Sequence, residues 1–230
     1  MCPLCKLAII RNKETYIRTM AERDSIKGQK DGIAIEPMQP EDIPIVIELL
    51  TDAYMGNPSN VAVFGSIRSR HKAIWRISLK VMPSQFMLAK DNGRIVGVMG
   101  MEEWPDCRLS FLELIKSLPY MFKEIRGSLL GWFVRRVKWA RNHPRKAHWH
   151  FGPFAVLPER QRQGIGSQLL KYFCEHVDRL GAAAYIETDK LDNVRLYERF
   201  GFAVINREQV VGVPNWFMWR SPQHKTESKG

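Results

Sequence analysis

Nowhere does the chain assemble the ~18 consecutive apolar residues that a membrane span requires, so no transmembrane helix is expected. The first apolar block, Leu7 to Ile10, is flanked by Lys6, Arg11 and Lys13 and is too short for a secretory signal, which makes the cytoplasm the expected location. Cysteine is scarce, occurring only at Cys2, Cys5, Cys107 and Cys174. Cys2 and Cys5 have the spacing of half a zinc site or a redox pair. No second close pair supplies the remaining ligands of a four-coordinate zinc. Two reduced thiols on a terminal arm are therefore the simpler reading, and a zinc site shared between two copies is the sharper one; no metal ligand is assigned. Acid is in deficit as well, with 24 Asp and Glu against 35 Lys and Arg and a formal net charge of +11. That balance weighs against polyamines as ligands, although a local acidic pocket can overrule a net charge.

What is present suits one well-cored domain with extensions: 230 residues, 45% of them hydrophobic. Residues 1–32 are a polar extension ending in a glycine-rich linker, 33–220 the domain, and 221–230 a polar tail expected to be disordered. Ile33 to Glu36 alternates as a strand does. Pro40-Glu41-Asp42 then opens a helix carrying Ile43, Val46, Ile47, Leu50 and Tyr54, which Asn57-Pro58 ends. The spacing predicts another helix from about Val63 to Val81. Its Arg68, Arg70, His71, Lys72 and Arg76 read as a solvated face, with a nucleic-acid surface as the alternative. Asp91-Asn92-Gly93 between Phe86 to Ala89 and Ile95 to Gly100 signals a hairpin.

Residues 105–146 look like a helical insertion, broken near Pro119 and Gly127. From Lys123 to Lys146 it holds eight Lys or Arg against the single acid Glu124. A basic amphipathic helix can bind a membrane surface or a nucleic acid. A helical layer on the sheet with a solvated basic face is the plainer reading. A third is a wall of a substrate pocket lined by Trp132, Trp139 and Trp149.

The most informative stretch is His148 to Phe202. An apolar run ending Phe154-Ala155-Val156 reads as a buried strand. The turn Gln161-Arg162-Gln163-Gly164-Ile165-Gly166 leads into a helix whose Ile165, Leu169, Leu170, Phe173, Val177 and Leu180 share one face, closed by Gly181. A short strand, Ala184 to Glu187, precedes a helix opening near Asp192 or Asn193 and closing at Gly201. Gly164 and Gly166 clear side chains from a helix start whose amides lack partners, and Arg160 and Arg162 add charge beside it. Such a turn suits a pyrophosphate. A dinucleotide fingerprint would need a third glycine where Leu169 stands, and a Walker A loop would need Lys-Ser/Thr where Ser167-Gln168 follow.

Gln161-x-x-Gly164-x-Gly166, followed by Tyr197-x-x-x-Gly201-Phe202, resembles the signature of the GNAT N-acetyltransferases. The Asp192 to Tyr197 segment with His148-Trp149-x-x-Gly152-Pro153 is similar to the branch that includes puromycin-type enzymes. The resemblance is close over 147–220, looser over 33–104, and does not reach the first thirty residues. It implies an α+β fold in which a mixed sheet, with splayed parallel strands 4 and 5, is flanked by helices. It also implies transfer of acetyl from acetyl-CoA, a cosubstrate, to a primary amine by direct attack in a ternary complex.

On that resemblance, Phe154, Ala155 and Val156 offer backbone to the pantetheine arm beside a bulge at Gly152-Pro153. Gln161, Arg162, Gln163, Gly164, Ile165, Gly166 and Ser167 hold the pyrophosphate. Asn193 bonds pantetheine or acceptor, or simply caps its helix. Tyr197 is the acid for the departing thiolate. Glu187 or His150, with His148 a rival and water another, is the base. Glu102 and Glu103 are placed to bind a cationic acceptor. The expected acceptor is a small-molecule amine. A protein or peptide acceptor, or a non-catalytic nucleic-acid or membrane-surface module, are the alternatives. Nucleic acid is not the expected partner, and a homodimer is admitted through pairing of the Trp216 to Trp219 strand.

Overall fold

The computed structural model describes residues 32–81, 85–107 and 111–223. The Cys2/Cys5 pair and most of the polar tail lie outside them. Among the described residues no helix is long and apolar enough to cross a membrane.

The order of elements is β1 (Ile33–Pro37), α1 (Ile43–Tyr54), α2 (Pro58–Phe64), α3 (Arg68–Val81), β2 (Gln85–Asp91), β3 (Arg94–Glu103), α4 (Phe111–Ile125), α5 (Leu129–Asn142), β4 (Trp149–Val156), α6 (Ile165–Arg179), β5 (Ala184–Thr188), α7 (Leu191–Glu198), β6 (Ala203–Val210) and β7 (Val213–Arg220). The strands form one sheet in the order β1-β2-β3-β4-β5-β7-β6. Among the described residues only β4 and β5 run parallel, and they pair through just Trp149 with Ala184 and His150 with Tyr185. The β2–β3 turn places Asn92 at φ 47° and Gly93 at φ 80°, the two left-handed residues that a tight hairpin twisting with its strands demands.

Each face of the sheet is covered by a helix whose apolar spacing was legible. On one, Leu169, Leu170 and Phe173 of α6 pack against Met99, Met101 and Phe151. On the other, Val46, Leu49 and Leu50 of α1 pack against Phe86, Leu88 and Val98. A separate cluster joins Phe64, Ile74 and Ile77 to Met121, Ile125 and Trp132, and so seats the insertion on α2 and α3.

Several local expectations are corrected. The helix expected over 63–81 is two, because the chain turns at Gly65, whose amide closes α2 on Val61 O at 2.8 Å. His71 is not on a solvated face: it is fully buried, its Nε2 paired with Gly65 O at 2.8 Å. Arg68 is exposed and Lys72 half-buried, and both are engaged by Glu48, Arg68 also by Asp52. The insertion breaks at Gly127 and not at Pro119, which lies inside α4. Packing of Met121 and Ile125 just beyond Pro119 carries the helix past its missing amide. The Trp216 to Trp219 strand lies between β5 and β6 with both edges paired, so it cannot receive a second copy.

Candidate active site

Opposite Gly100, β4 carries two residues, Gly152 and Pro153, so the register with β3 slips between Met99 and Met101. The bulge falls where the sequence suggested it, and beyond it β4 leaves β5. Phe154 then finds no strand on its open side. Its amide and carbonyl instead meet the hydroxyl of Tyr54, at 3.2 and 3.1 Å, the phenol accepting from the first and donating to the second. Tyr54 reads as a plain helix residue in the sequence. No local signal marks it, because its partner is 100 positions away.

The divergence opens a cavity of about 700 Å³ that begins at the turn before α6 and ends under the insertion. At the first end lie Val156, Gln161, Arg162, Gly164, Gly166 and Ser167. Gly164 stands at φ 82°, a conformation costly for other residues, and a Cβ there would project into open space. A Cβ on Gly166 would lie 3.0 Å from Cζ of Phe154, so this glycine also lets the ring lie across the helix start. The first amides of α6 have no intrahelical acceptor. Gln161 anchors the turn through Nε2 to Val156 O at 3.1 Å. Gln163 and Ile165 turn their side chains away, the first toward Arg160 and Glu159 O, the second into the core. Arg160 is spent elsewhere, on Asp91 at 2.6 Å, leaving Arg162 as the cation of the turn that lines the cavity.

The same cavity meets His150, Glu187, Asp189 and Tyr197, and Asn193 and Ala155 line it as well. His150 Nε2 lies 3.1 Å from Glu187 Oε2, and both side chains are largely buried. Burial opposes the charge on His150, but the facing Glu187 carboxylate outweighs it and holds the imidazole above its ordinary value. Burial likewise opposes the charge on Glu187, and His150 outweighs that, so the carboxyl sits below its ordinary value. Tyr197 is 2% exposed. Burial first, then the nearby Tyr54, Glu187 and Asp189, push its phenol well up, which keeps the proton on oxygen. Asp189 is held by Asn57 Nδ2 at 2.8 Å and by the Ser59 amide at 2.7 Å.

The insertion supplies the wall. Trp132 and Trp139 line the cavity; Trp149 does not, being buried in the core against His176. The basic face is not wholly solvated: Arg135 and Arg136 also line the cavity. Arg135 is 5% exposed, bonds Asn60 Oδ1 at 2.5 Å and lies between the rings of Phe64 and Trp139. Helical periodicity shows that a charge leaves the insertion's apolar stripe but not that another helix closes over it.

Other expected residues fall away from the cavity. Glu102 is buried outside it and Glu103 is exposed. His148 is buried outside it too, beside Cys107. Asn193 is not a cap: the helix opens at Lys190, and Asn193 Nδ2 donates to Thr188 Oγ1 at 3.1 Å from inside the first turn.

Comparison with solved structures agrees with this architecture. A protein from Corynebacterium glutamicum described as histone acetyltransferase HPA2 and related acetyltransferase is 20% identical, with a TM-score of 0.65 over 85% of this chain and 99% of its own. The ribosomal-protein-S18-alanine N-acetyltransferase of Escherichia coli is 13% identical, with a TM-score of 0.51 over 85% of this chain and 97% of its own. The protein yncA of Salmonella typhimurium, solved with its cofactor acetyl-CoA, is 15% identical, with a TM-score of 0.51 over 84% of this chain and 95% of its own. At such identities the likeness is one of fold. The sequence itself matches the model of the acetyltransferase (GNAT) family over residues 47–202, more than half its length, from α1 through the Tyr197 to Phe202 motif, and this chain belongs to that family.

Proposed function

We propose that the chain transfers the acetyl group of acetyl-CoA to a primary amine of a small molecule, by direct attack within a ternary complex. The observation that carries this reading is a single cavity joining the Gly164 to Ser167 turn to the His150, Glu187 and Tyr197 side chains through the β4–β5 gap. A cosubstrate with a diphosphate at one end and a thioester at the other fits that layout. The helix-start amides and Arg162 receive the phosphates. The unpaired edge of β4 at Phe154 receives the amide-bearing arm, displacing the Tyr54 hydroxyl, and the thioester arrives beside Tyr197.

The acceptor arrives as an ammonium, drawn by Glu187 and Asp189. Neutral His150 takes its proton, and Glu187 steadies the imidazolium that results. The freed nitrogen attacks the thioester carbonyl, the C–S bond breaks, the departing thiolate takes the Tyr197 proton, and the surplus proton on the acylated nitrogen passes to solvent, from which Tyr197 is reprotonated. Trp75, Trp132 and Trp139 enclose the acceptor end, which favours a small molecule over a peptide needing an open groove. Two of the insertion's basic residues turn inward, which weakens the surface-binding alternative.

The test is calorimetric titration of acetyl-CoA into the wild type and into Gly164→Glu, followed by a panel of small amines and peptides with thiol release as readout. Micromolar binding lost in a folded variant, with turnover on a small amine, supports the reading. Absence of binding to the wild type overturns it; turnover on peptides alone overturns the acceptor class.

A further inference from the structure

Three side chains outside the cavity converge where the insertion joins the sheet. Cys107 follows β3 and precedes α4, His143 follows α5, and His148 immediately precedes β4. One donor atom from each lies within 4.8 Å of the other two, and Cys107 Sγ is 3.9 Å from His148 Nε2. None of the three lines the cavity, so a nucleophile and base pair serving its substrate is not what they form.

The hydrogen bonds around the two imidazoles are those a metal requires. His148 Nδ1 faces Lys146 O at 2.6 Å, and His143 Nδ1 faces Pro144 O at 3.2 Å. A carbonyl only accepts, so each Nδ1 carries the proton and each Nε2 keeps its lone pair. Backbone carbonyls orient metal-bound histidines in this way. His143 Nε2 is buried and has no hydrogen-bond partner among the described residues, a state that costs free energy unless something fills it. The rings of Trp104 and Tyr185 pack against both imidazoles and form a largely apolar shell.

We infer that Cys107, His143 and His148 bind a zinc-class divalent cation that fastens both ends of the helical insertion to the sheet. Two imidazole nitrogens and one thiolate are a borderline-soft donor set, which selects zinc over the oxygen-seeking calcium and magnesium. Zinc–ligand bonds of about 2.3 Å to sulfur and about 2.0 Å to nitrogen place the two donors about 3.5 Å apart in a tetrahedron. The observed 3.9 Å needs only a small contraction. Binding forms one metal–sulfur and two metal–nitrogen bonds; the Cys107 thiol proton passes to buffer, displaced waters leave, and a retained water completes four-coordination. The sequence gives little warning, since the ligands stand at 107, 143 and 148 without a close pair.

Cobalt(II) is the probe, added to metal-free, full-length protein carrying Cys2→Ser and Cys5→Ser so that the other thiol pair cannot compete. The expected result is one cobalt per chain, with a thiolate-to-cobalt charge-transfer band and tetrahedral d–d bands, both bleached by one equivalent of zinc. Cys107→Ser is expected to abolish the charge-transfer band, and His148→Ala to weaken cobalt binding more than about a hundredfold, beyond what outer-shell changes alone cause. Zinc is expected to raise the thermal midpoint of the parent but not of Cys107→Ser. Cobalt well below one equivalent, or no charge-transfer band in the parent, overturns the inference without any variant at Cys107. A band that survives Cys107→Ser overturns it equally. Acetyl-CoA titration is independent of these readouts.

Discussion

Replacing Glu187 with glutamine separates the charge on the His150 pair from its shape. In the wild type the 3.1 Å contact lets the carboxylate override burial and raise the imidazole above its ordinary 6.5. Glutamine leaves the burial and the nearby Arg136 in place, so His150 should then fall below 6.5. On the proposed mechanism, kcat/KM rises with pH as His150 loses its proton. In Glu187→Gln that rising limb should move to lower pH, while the plateau drops on the order of 10²-fold as the imidazolium loses its partner. Stability gives a second sign. The raised His150 contributes stability that is complete below 6.5 and lost as pH rises through its folded value. The depressed Glu187 contributes stability that is complete above 4.5 and lost as pH falls through its folded value. The pair is therefore fully expressed between 4.5 and 6.5. Breaking a buried pair costs about 3–5 kcal/mol; glutamine keeps an acceptor, which brings the expected loss to about 1–3 kcal/mol. Urea unfolding of both proteins at about pH 5.5 and about pH 8.5 should show the larger difference at the lower pH. A rising limb that stays in place, or a stability loss equal at both values, would refute the coupling.

Tyr197→Phe should lower kcat about 10²- to 10⁴-fold while leaving the acetyl-CoA dissociation constant, read by calorimetry, nearly unchanged; a matched loss of binding would argue for a packing role. Gly166→Val should push the Phe154 ring from its place against the helix start, where a Cβ already comes within 3.0 Å. It should weaken acetyl-CoA binding at least about tenfold and cost about 1–3 kcal/mol in denaturant unfolding. Arg220→Met removes a guanidinium that grips Asp178 at 2.5 and 2.9 Å and Phe200 O at 2.8 Å. Its partner is one-third exposed, so the expected loss is about 2 kcal/mol, with turnover at low temperature unaffected.

The residues legible in advance were those whose partners are near in sequence. Asn92-Gly93 needs only its own hairpin. Gln161 to Gly166 needs only the strand before and the helix after. The α6 stripe repeats every turn. Residues misread were those whose surroundings are set by topology. Arg160 was assigned to the turn, but Asp91, 69 positions away, captures it once β2 lies beside that loop. The Trp216 to Trp219 strand looked like an edge because nothing local says that β7 inserts between β5 and β6. Arg135 looked solvated because its apolar enclosure, Phe64 and Trp139, comes partly from α2. Trp149 and His150 illustrate the finer limit. Alternation separates their faces correctly, but which face opens into a cavity depends on where β4 parts from β5.

The same distinction bears on what the net charge of +11 means for the acceptor. A whole-molecule count argues against a cationic ligand, yet the field that an amine meets is local. In the proposed site the acids that an amine meets are Glu187 and Asp189, and the cations lining the same cavity, Arg135 and Arg136, are largely withdrawn from water. His150 does most to hold the Glu187 carboxyl down and Arg136 adds to it, while Asp189 partly offsets the burial that lowers Arg135. One ammonium is therefore welcome at the acid pair, whereas a second, carried further along the acceptor, would meet the guanidinium wall of α5. On the proposed reading, then, local geometry and global charge exclude the same ligand for different reasons. Polyamines are disfavoured by Arg135 and Arg136 at the cavity wall as well as by the sum over the chain, and a single amine on a neutral or anionic body is the acceptor the walls admit.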